Sequence, residues 1–174
     1  MQSFRYYLMT EEYAASIAGW TYEESYSFYN MDDSEETISE LMNGEYYYVL
    51  NSDNELFGFI CIGESARVSG GYEIGIYNDD KCLDLGLGLA PSHTGMGNGA
   101  NFLDASIKFI IEEYQTSNIQ LVVAAFNERA IKVYERVEFA KAQWFKSRVG
   151  EEEIDFVLMK LKANNEVPGI HKRM

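Results

Sequence analysis

Proline, cysteine, histidine and positive charge are all scarce in this sequence: two residues each of the first three, and 14 Lys and Arg against 28 Asp and Glu. Each shortage removes a class of protein. With two prolines and 47% hydrophobic residues the chain is neither collagen-like nor disordered. Cys61 and Cys82 stand alone in apolar stretches, with no CxxC and no histidine cluster, so neither a disulfide framework nor a zinc site is expected. No metal is implied, and both thiols read as small buried hydrophobes. The net charge of −14 repels nucleic acid and anionic membrane. It favours a cationic small molecule or a basic peptide, although acidity that merely keeps the protein soluble is the stronger reading. No apolar run is long enough to cross a bilayer. "MQSFRYYLMTEEY" has no basic start followed by an apolar core, so a secretory signal is not expected and the default location is cytoplasmic. One domain is expected over residues 1–162, with "ANNEVPGIHKRM", 163–174, as a poorly ordered tail.

What is present alternates between β and α patterns. "FRYYLM" reads as a strand, and Thr10 followed by Glu11 and Glu12 as a helix start. The next twenty residues carry Trp20, Tyr22, Tyr26, Phe28 and Tyr29, which fill a core or pave a pocket, core being the stronger prior. "SEETISELMNG" is a helix stopped by Gly44. "EYYYVLN" and "LFGFICIGE", joined by "SDN", form a hairpin. Residues 64–81 are polar and glycine-rich. "CLDLGLGLAP" then alternates, with leucines on one face and Cys82, Asp84, Gly86 and Gly88 on the other. That bare face suits either close approach of a ligand or close packing of a neighbour. Leu103, Ile107, Ile110 and Tyr114 recur at helical spacing, "NIQLVVAAF" is a buried strand, and Asn127 opens a short helix. "AKAQWFKSRV" and "EIDFVLMKLK" close the chain as an antiparallel pair. Strands adjacent in sequence with few crossovers indicate an α+β sheet.

The densest signal is "PSHTGMGNGANFLDASIKFI", where Gly95, Gly97 and Gly99 lie between a strand and a helix. Free backbone N–H groups at the positive end of a helix dipole bind phosphate. No Lys follows Gly99 until Lys108, so this is not a nucleotide P-loop. The glycine spacing also misses the dinucleotide fingerprint.

In this region the chain resembles the GCN5-related N-acetyltransferases, whose strand, glycine turn and helix bind the pyrophosphate of acetyl-coenzyme A. Gly95, Gly97 and Gly99 fall on the family's glycine positions, and Thr94 stands where Arg or Gln is usual. A second stretch, "AAFNERAIKVYERVEF", matches at Asn127, Ala130, Tyr134 and Phe139. Glu138 replaces the usual Gly, which points to a differently shaped helix end. The resemblance implies a mixed, mostly antiparallel twisted sheet of six to seven strands flanked by helices, and transfer of acetyl from acetyl-coenzyme A to a primary amine of a small molecule or peptide. A scaffold that only binds or senses acyl-coenzyme A is the alternative. Cofactor contacts are implied for the backbone at Leu87, Gly88 and Leu89, for Thr94, for the amides of Gly95, Met96, Gly97, Asn98 and Gly99, and for Asn127 and Ala130.

Tyr134 is the implied general acid, although periodicity alone makes it a packing residue against Ala130 and Val137. Asn127 serves equally as a helix N-cap. Asp84 and Glu73 are candidates for the base, directly or through water. His93, ahead of the turn, reads as structural. Arg129, Lys132 and Arg136 are the densest basic cluster and could meet adenosine phosphates, solvated helix charge being the default for any one of them. Trp20, Tyr22, Tyr26 and Tyr29 are the expected acceptor-side residues, since aromatic faces and nearby carboxylates suit a cationic amine. A homodimer is compatible with all of this.

Overall fold

The computed structural model describes residues 3–162. The predicted tail, 163–174, lies outside the described residues. Seven strands form one sheet in the order β1-β2-β3-β4-β5-β7-β6. They are β1 Arg5–Leu8, β2 Tyr46–Leu50, β3 Leu56–Ile62, β4 Leu83–Leu89, β5 Ile119–Ala124, β6 Phe139–Val149 and β7 Glu152–Leu161. All neighbours are antiparallel except β4 and β5. Five helices cover it: α1 Glu11–Ala18, α2 Glu35–Leu41, α3 Ser69–Glu73, α4 Gly99–Tyr114 and α5 Glu128–Arg136. This is the expected α+β sheet. No helix among the described residues is long and apolar enough to cross a membrane.

The helices begin where capping chemistry puts them. Thr10 and Ser34 accept from the backbone N–H of Tyr13 and Thr37, satisfying donors that the first turn leaves free. The expected periodicity of α4 holds: Leu103, Ile107 and Ile110 are buried against Val49, Phe57, Ile60 and Leu85. Each such side chain contributes roughly 1.5–3 kcal/mol on burial. Tyr114 ends the stripe with its hydroxyl 2.5 Å from that of Tyr47. Cys61 and Cys82 are buried, as expected, and burial pushes the Cys61 thiol up to about 12.

Two stretches gain definition that their pattern did not give. The polar, glycine-rich residues 64–81 include most of a 3₁₀ turn, Gly63–Ala66, and helix α3. Gly70 permits this, because a Cβ there would stand 2.3 Å from the Lys146 carbonyl of β6. The bare face of β4 is explained by packing: a Cβ on Gly88 would stand 2.4 Å from the Phe59 ring, and one on Gly86 2.7 Å from the Cys61 sulfur. The glycines of β4 make room for the side chains of β3, and both also line a cavity.

The sheet has a break at its centre. β4 and β5 have seven and six residues, yet pair only at Leu83 with Ile119 and Asp84 with Gln120. Beyond that point β4 stays with β3 as far as Leu89, and β5 stays with β7 as far as Ala124. Each strand follows its antiparallel partner, and the two halves of the sheet open like a V.

Candidate active site

A cavity of ≈ 780 Å³ occupies that opening, lined by β4 from Leu85 to Leu89 and by β5 from Leu121 to Ala124. Ala90 donates its N–H to the Phe57 carbonyl, which sets the alternation along β4. Gly88 and Gly86 therefore bond to β3, while Leu87 and Leu89 turn their N–H and C=O groups towards the open side. Tyr22 donates its hydroxyl to the Leu89 carbonyl at 2.7 Å. Apart from that carbonyl, the strand offers the cavity a backbone edge that no other strand pairs among the described residues.

At the cavity's mouth the glycine turn is held open. Gly95 and Gly97 have φ of +71° and +78°, conformations that favour glycine. The α4 N-cap, Asn98, makes no side-chain capping bond. Among the described residues, none of the amides of Gly95, Met96, Gly97, Asn98 and Gly99 donates to another protein group. Gly99 serves a different need: a Cβ there would stand 3.3 Å from Val133, so it sets how closely α4 approaches α5. Thr94 spends its hydroxyl proton on the Pro91 carbonyl at 2.8 Å. A cation stands nearby instead, with Arg129 Nη1 3.1 Å from where a Cβ on Gly95 would lie. The Arg129 guanidinium rests on the Tyr26 ring at 4.4 Å. Lys132 and Arg136, from the same helix, also line the cavity.

Tyr134 lines the cavity, half-buried, with its ring 6.3 Å from that of Phe139. Burial, with the Tyr29 hydroxyl close by, raises its phenol well above the ordinary range, so it stays protonated at neutral pH. Asn127 does two jobs. Its Oδ1 accepts from the Ala130 N–H and caps α5, and its Nδ2 donates to the Tyr29 hydroxyl at 3.1 Å.

The two candidate bases are elsewhere. Asp84 is 3% exposed, accepts from Arg67 Nε at 2.9 Å and from Gln120 Nε2 at 2.8 Å, and does not line the cavity. Glu73 ends α3 exposed and away from the lining. His93 stacks on Phe57 at 4.4 Å, a packing role.

A model of the acetyltransferase (GNAT) family matches residues 9–139, three-quarters of the chain, and takes in β4, the glycine turn, α4, β5 and α5. The chain belongs to the GNAT acetyltransferases. No curated protein matches it in sequence. Among solved structures it is similar to a GNAT-family acetyltransferase from Bacillus anthracis, with a TM-score of 0.69 and 16% identity over 91% of this chain and 93% of that one. It is likewise similar to a mutant form of the spermidine/spermine N-acetyltransferase SpeG from Vibrio cholerae, with a TM-score of 0.65 and 16% identity over 92% and 94%. At that identity the likeness is one of fold.

In this acetyltransferase the four expected acceptor-side aromatics, Trp20, Tyr22, Tyr26 and Tyr29, all line the cavity. The 3₁₀ turn Glu24–Tyr29 that carries two of them has no fully buried residue, and the segment from Trp20 to Tyr29 both lines the cavity and packs on the core, through Trp20 and Phe28. Three of them lean on cofactor-side groups: Tyr22 on Leu89, Tyr26 on Arg129 and Tyr29 on Asn127. The helix end at Glu138 is also not reshaped. Glu138 takes φ +73°, the conformation a glycine would adopt. Sequence reasoning missed Arg67, which lines the cavity after its ion pair with Asp84 draws it in. Its only signal was an arginine in a glycine-rich stretch.

Proposed function

We propose that this acetyltransferase moves an acetyl group from acetyl-coenzyme A to a primary amine of a small molecule or peptide, by direct attack while both are bound. The observation that carries this reading is the opening of β4 away from β5 beside a glycine turn of free amides, with Tyr134 on the cavity wall. The residues fit the donor. Five turn amides and the α4 N-terminus suit a pyrophosphate, and Arg129 supplies the cation that Thr94 does not. Lys132 and Arg136 suit the remaining phosphate. The free edge of β4 at Leu87 and Leu89 suits the amide-bearing arm, as an added strand would.

When bound, acetyl-coenzyme A supplies an acetyl group already activated as a thioester. The chain's own groups then divide the work. The Leu87 and Leu89 N–H groups, turned to the open side of β4, would stabilise the negative charge that gathers on the acyl oxygen during attack. Cationic lining disfavours a protonated amine, which lowers its pKa and helps release the proton to water. Among the described residues no Asp, Glu or His lines the cavity, and this electrostatic route stands in for a side-chain base. As the new C–N bond forms and the C–S bond breaks, Tyr134 holds a proton for the departing sulfur.

The test is thermal unfolding with acetyl-coenzyme A, coenzyme A, ATP and NAD added separately, followed by kinetics of Tyr134→Phe. A ligand at a hundred times its Kd stabilises by about 2.7 kcal/mol, and only the coenzyme A pair is expected to do so. Tyr134→Phe is expected to lower kcat by about a hundredfold or more with acetyl-coenzyme A affinity unchanged. Stabilisation by ATP or NAD alone would overturn the reading of the turn; an unchanged kcat would remove Tyr134 as the acid.

A further inference from the structure

The cavity's charge runs against that of the whole chain. The protein carries 28 Asp and Glu and a net charge of −14, yet among the described residues not one Asp or Glu lines the cavity, while four of the six arginines and a lysine do. Three of those cations, Arg129, Lys132 and Arg136, sit on α5 beside the glycine turn and suit the donor's phosphates. Arg67 belongs to the opposite side of the sheet.

That placement follows from the register of β4. Leu83, Leu85, Leu87 and Leu89 pack with the α4 core, so Asp84 points to the other face, as does Gln120, its partner in the last pair before the strands part. Arg67 Nε donates to Asp84 Oδ2 at 2.9 Å, which anchors the guanidinium at the apex of the V on the face away from α4. The Tyr77 ring lies 4.9 Å from its central carbon and the Tyr72 ring 5.7 Å, backing it on the protein side. The Asp84 side chain is 4% exposed and its other oxygen is spent on Gln120, so the carboxylate is turned into the sheet while the guanidinium reaches the cavity. Asp84 takes the Nε–H of Arg67 and the Tyr72 hydroxyl engages the guanidinium as well, so the N–H donors left over, out of five, are what the fork offers an oxyanion.

We propose that the acceptor is a primary amine that also carries an oxyanion, a carboxylate or a phosphate, and that Arg67 binds that group on the face of the cavity opposite the donor. The proposal rests on the acetyl-transfer reading above. A polyamine, the acceptor named for the Vibrio cholerae neighbour, would set a second ammonium in a cavity with no lining carboxylate among the described residues, and like charges there weaken binding. The acidic surface brings cations near, but the lining decides what stays.

The experiment uses one series of primary amines with the same three-carbon spacer, ending in carboxylate, phosphate, hydroxyl or ammonium. Binding of each to the full protein saturated with coenzyme A is measured by calorimetry, and transfer from acetyl-coenzyme A by thiol release. At least one anionic member is expected to bind tenfold or more tighter than the ammonium member, the carboxylate and phosphate arms telling which oxyanion is preferred. Arg67→Ala is expected to abolish that preference through KM, leaving the hydroxyl member unchanged, and Arg67→Lys to restore part of it. Equal affinity across the series, preference for the ammonium member, or an equal loss for every amine in Arg67→Ala would overturn the proposal. Failure of acetyl-coenzyme A itself to bind the wild-type protein would instead overturn the acetyl-transfer reading, so the two failures are distinguishable.

Discussion

The two faces of the cavity are assembled in different ways. On the α4 and α5 side, the glycine turn at 94–99 and the helix from Asn127 to Arg136 are two continuous pieces of chain, each able to present its chemistry through local geometry: φ values of +71° and +78° in one, a capping asparagine in the other. On the opposite side, Arg67 is brought to the cavity by Asp84, Asp84 is held by Gln120, and Gln120 also donates to the Ile76 carbonyl at 2.9 Å. Four distant points in the chain make one cation. A site read from contiguous residues tolerates change around it, whereas a site made by a relay depends on every link.

The largest expected effect is on the relay. Asp84→Ala leaves the Arg67 Nε and Gln120 Nε2 donors without their carboxylate, at a cost of about 2 kcal/mol and a fall of roughly 4–8 °C in unfolding midpoint. Acetyl-coenzyme A affinity is expected to be unchanged once the protein is folded. A midpoint within a degree of wild type would mean that the two faces do not differ in this way. Next is Arg129→Ala on the contiguous side, expected to weaken acetyl-coenzyme A about tenfold, the equivalent of about 1.4 kcal/mol for a charge-assisted hydrogen bond. Calorimetry checks it, and the unfolding midpoint without ligand is expected to stay where it was.

The smallest effect is at Glu138→Gly. A left-handed residue with a side chain costs about 1 kcal/mol, part of which glycine returns as unfolded-state entropy, and the exposed pair with Lys162 at 3.5 Å contributes little. The expected net gain is about 0.5 kcal/mol, read from urea unfolding. A loss would show that Glu138 makes a contribution at this helix end beyond its backbone conformation.

Much of the contiguous side was legible because its signals are short-range. Glycines before an amphipathic helix imply free amides wherever they occur, and Asn127 ahead of Glu128 implies a cap in any fold. The bare face of β4 was legible as a pattern but not as a purpose. Whether Gly86 and Gly88 admit a neighbour depends on β3, and only the pairing of Phe59 with Gly88 and Cys61 with Gly86 shows that they do, in strands that also line the cavity. The aromatics from Trp20 to Tyr29 were legible both as core filling and as a pocket wall, and the choice rests on distant partners: Trp20 packs on Phe59 and Phe28 on Phe156, while the same segment lines the cavity.

By itself the sequence determined the order of the strands and of every helix but α3, the capped helix starts, the α4 stripe and the glycine turn, because each depends on residues within a few positions of one another. Only the tertiary structure decided that β4 and β5 separate after Asp84, that Asp84 serves an arginine and not the cavity, and that an acidic chain encloses a basic pocket. Those outcomes depend on which strand each edge prefers to bond and on which side chains two distant segments bring together, and no local pattern encodes such a choice.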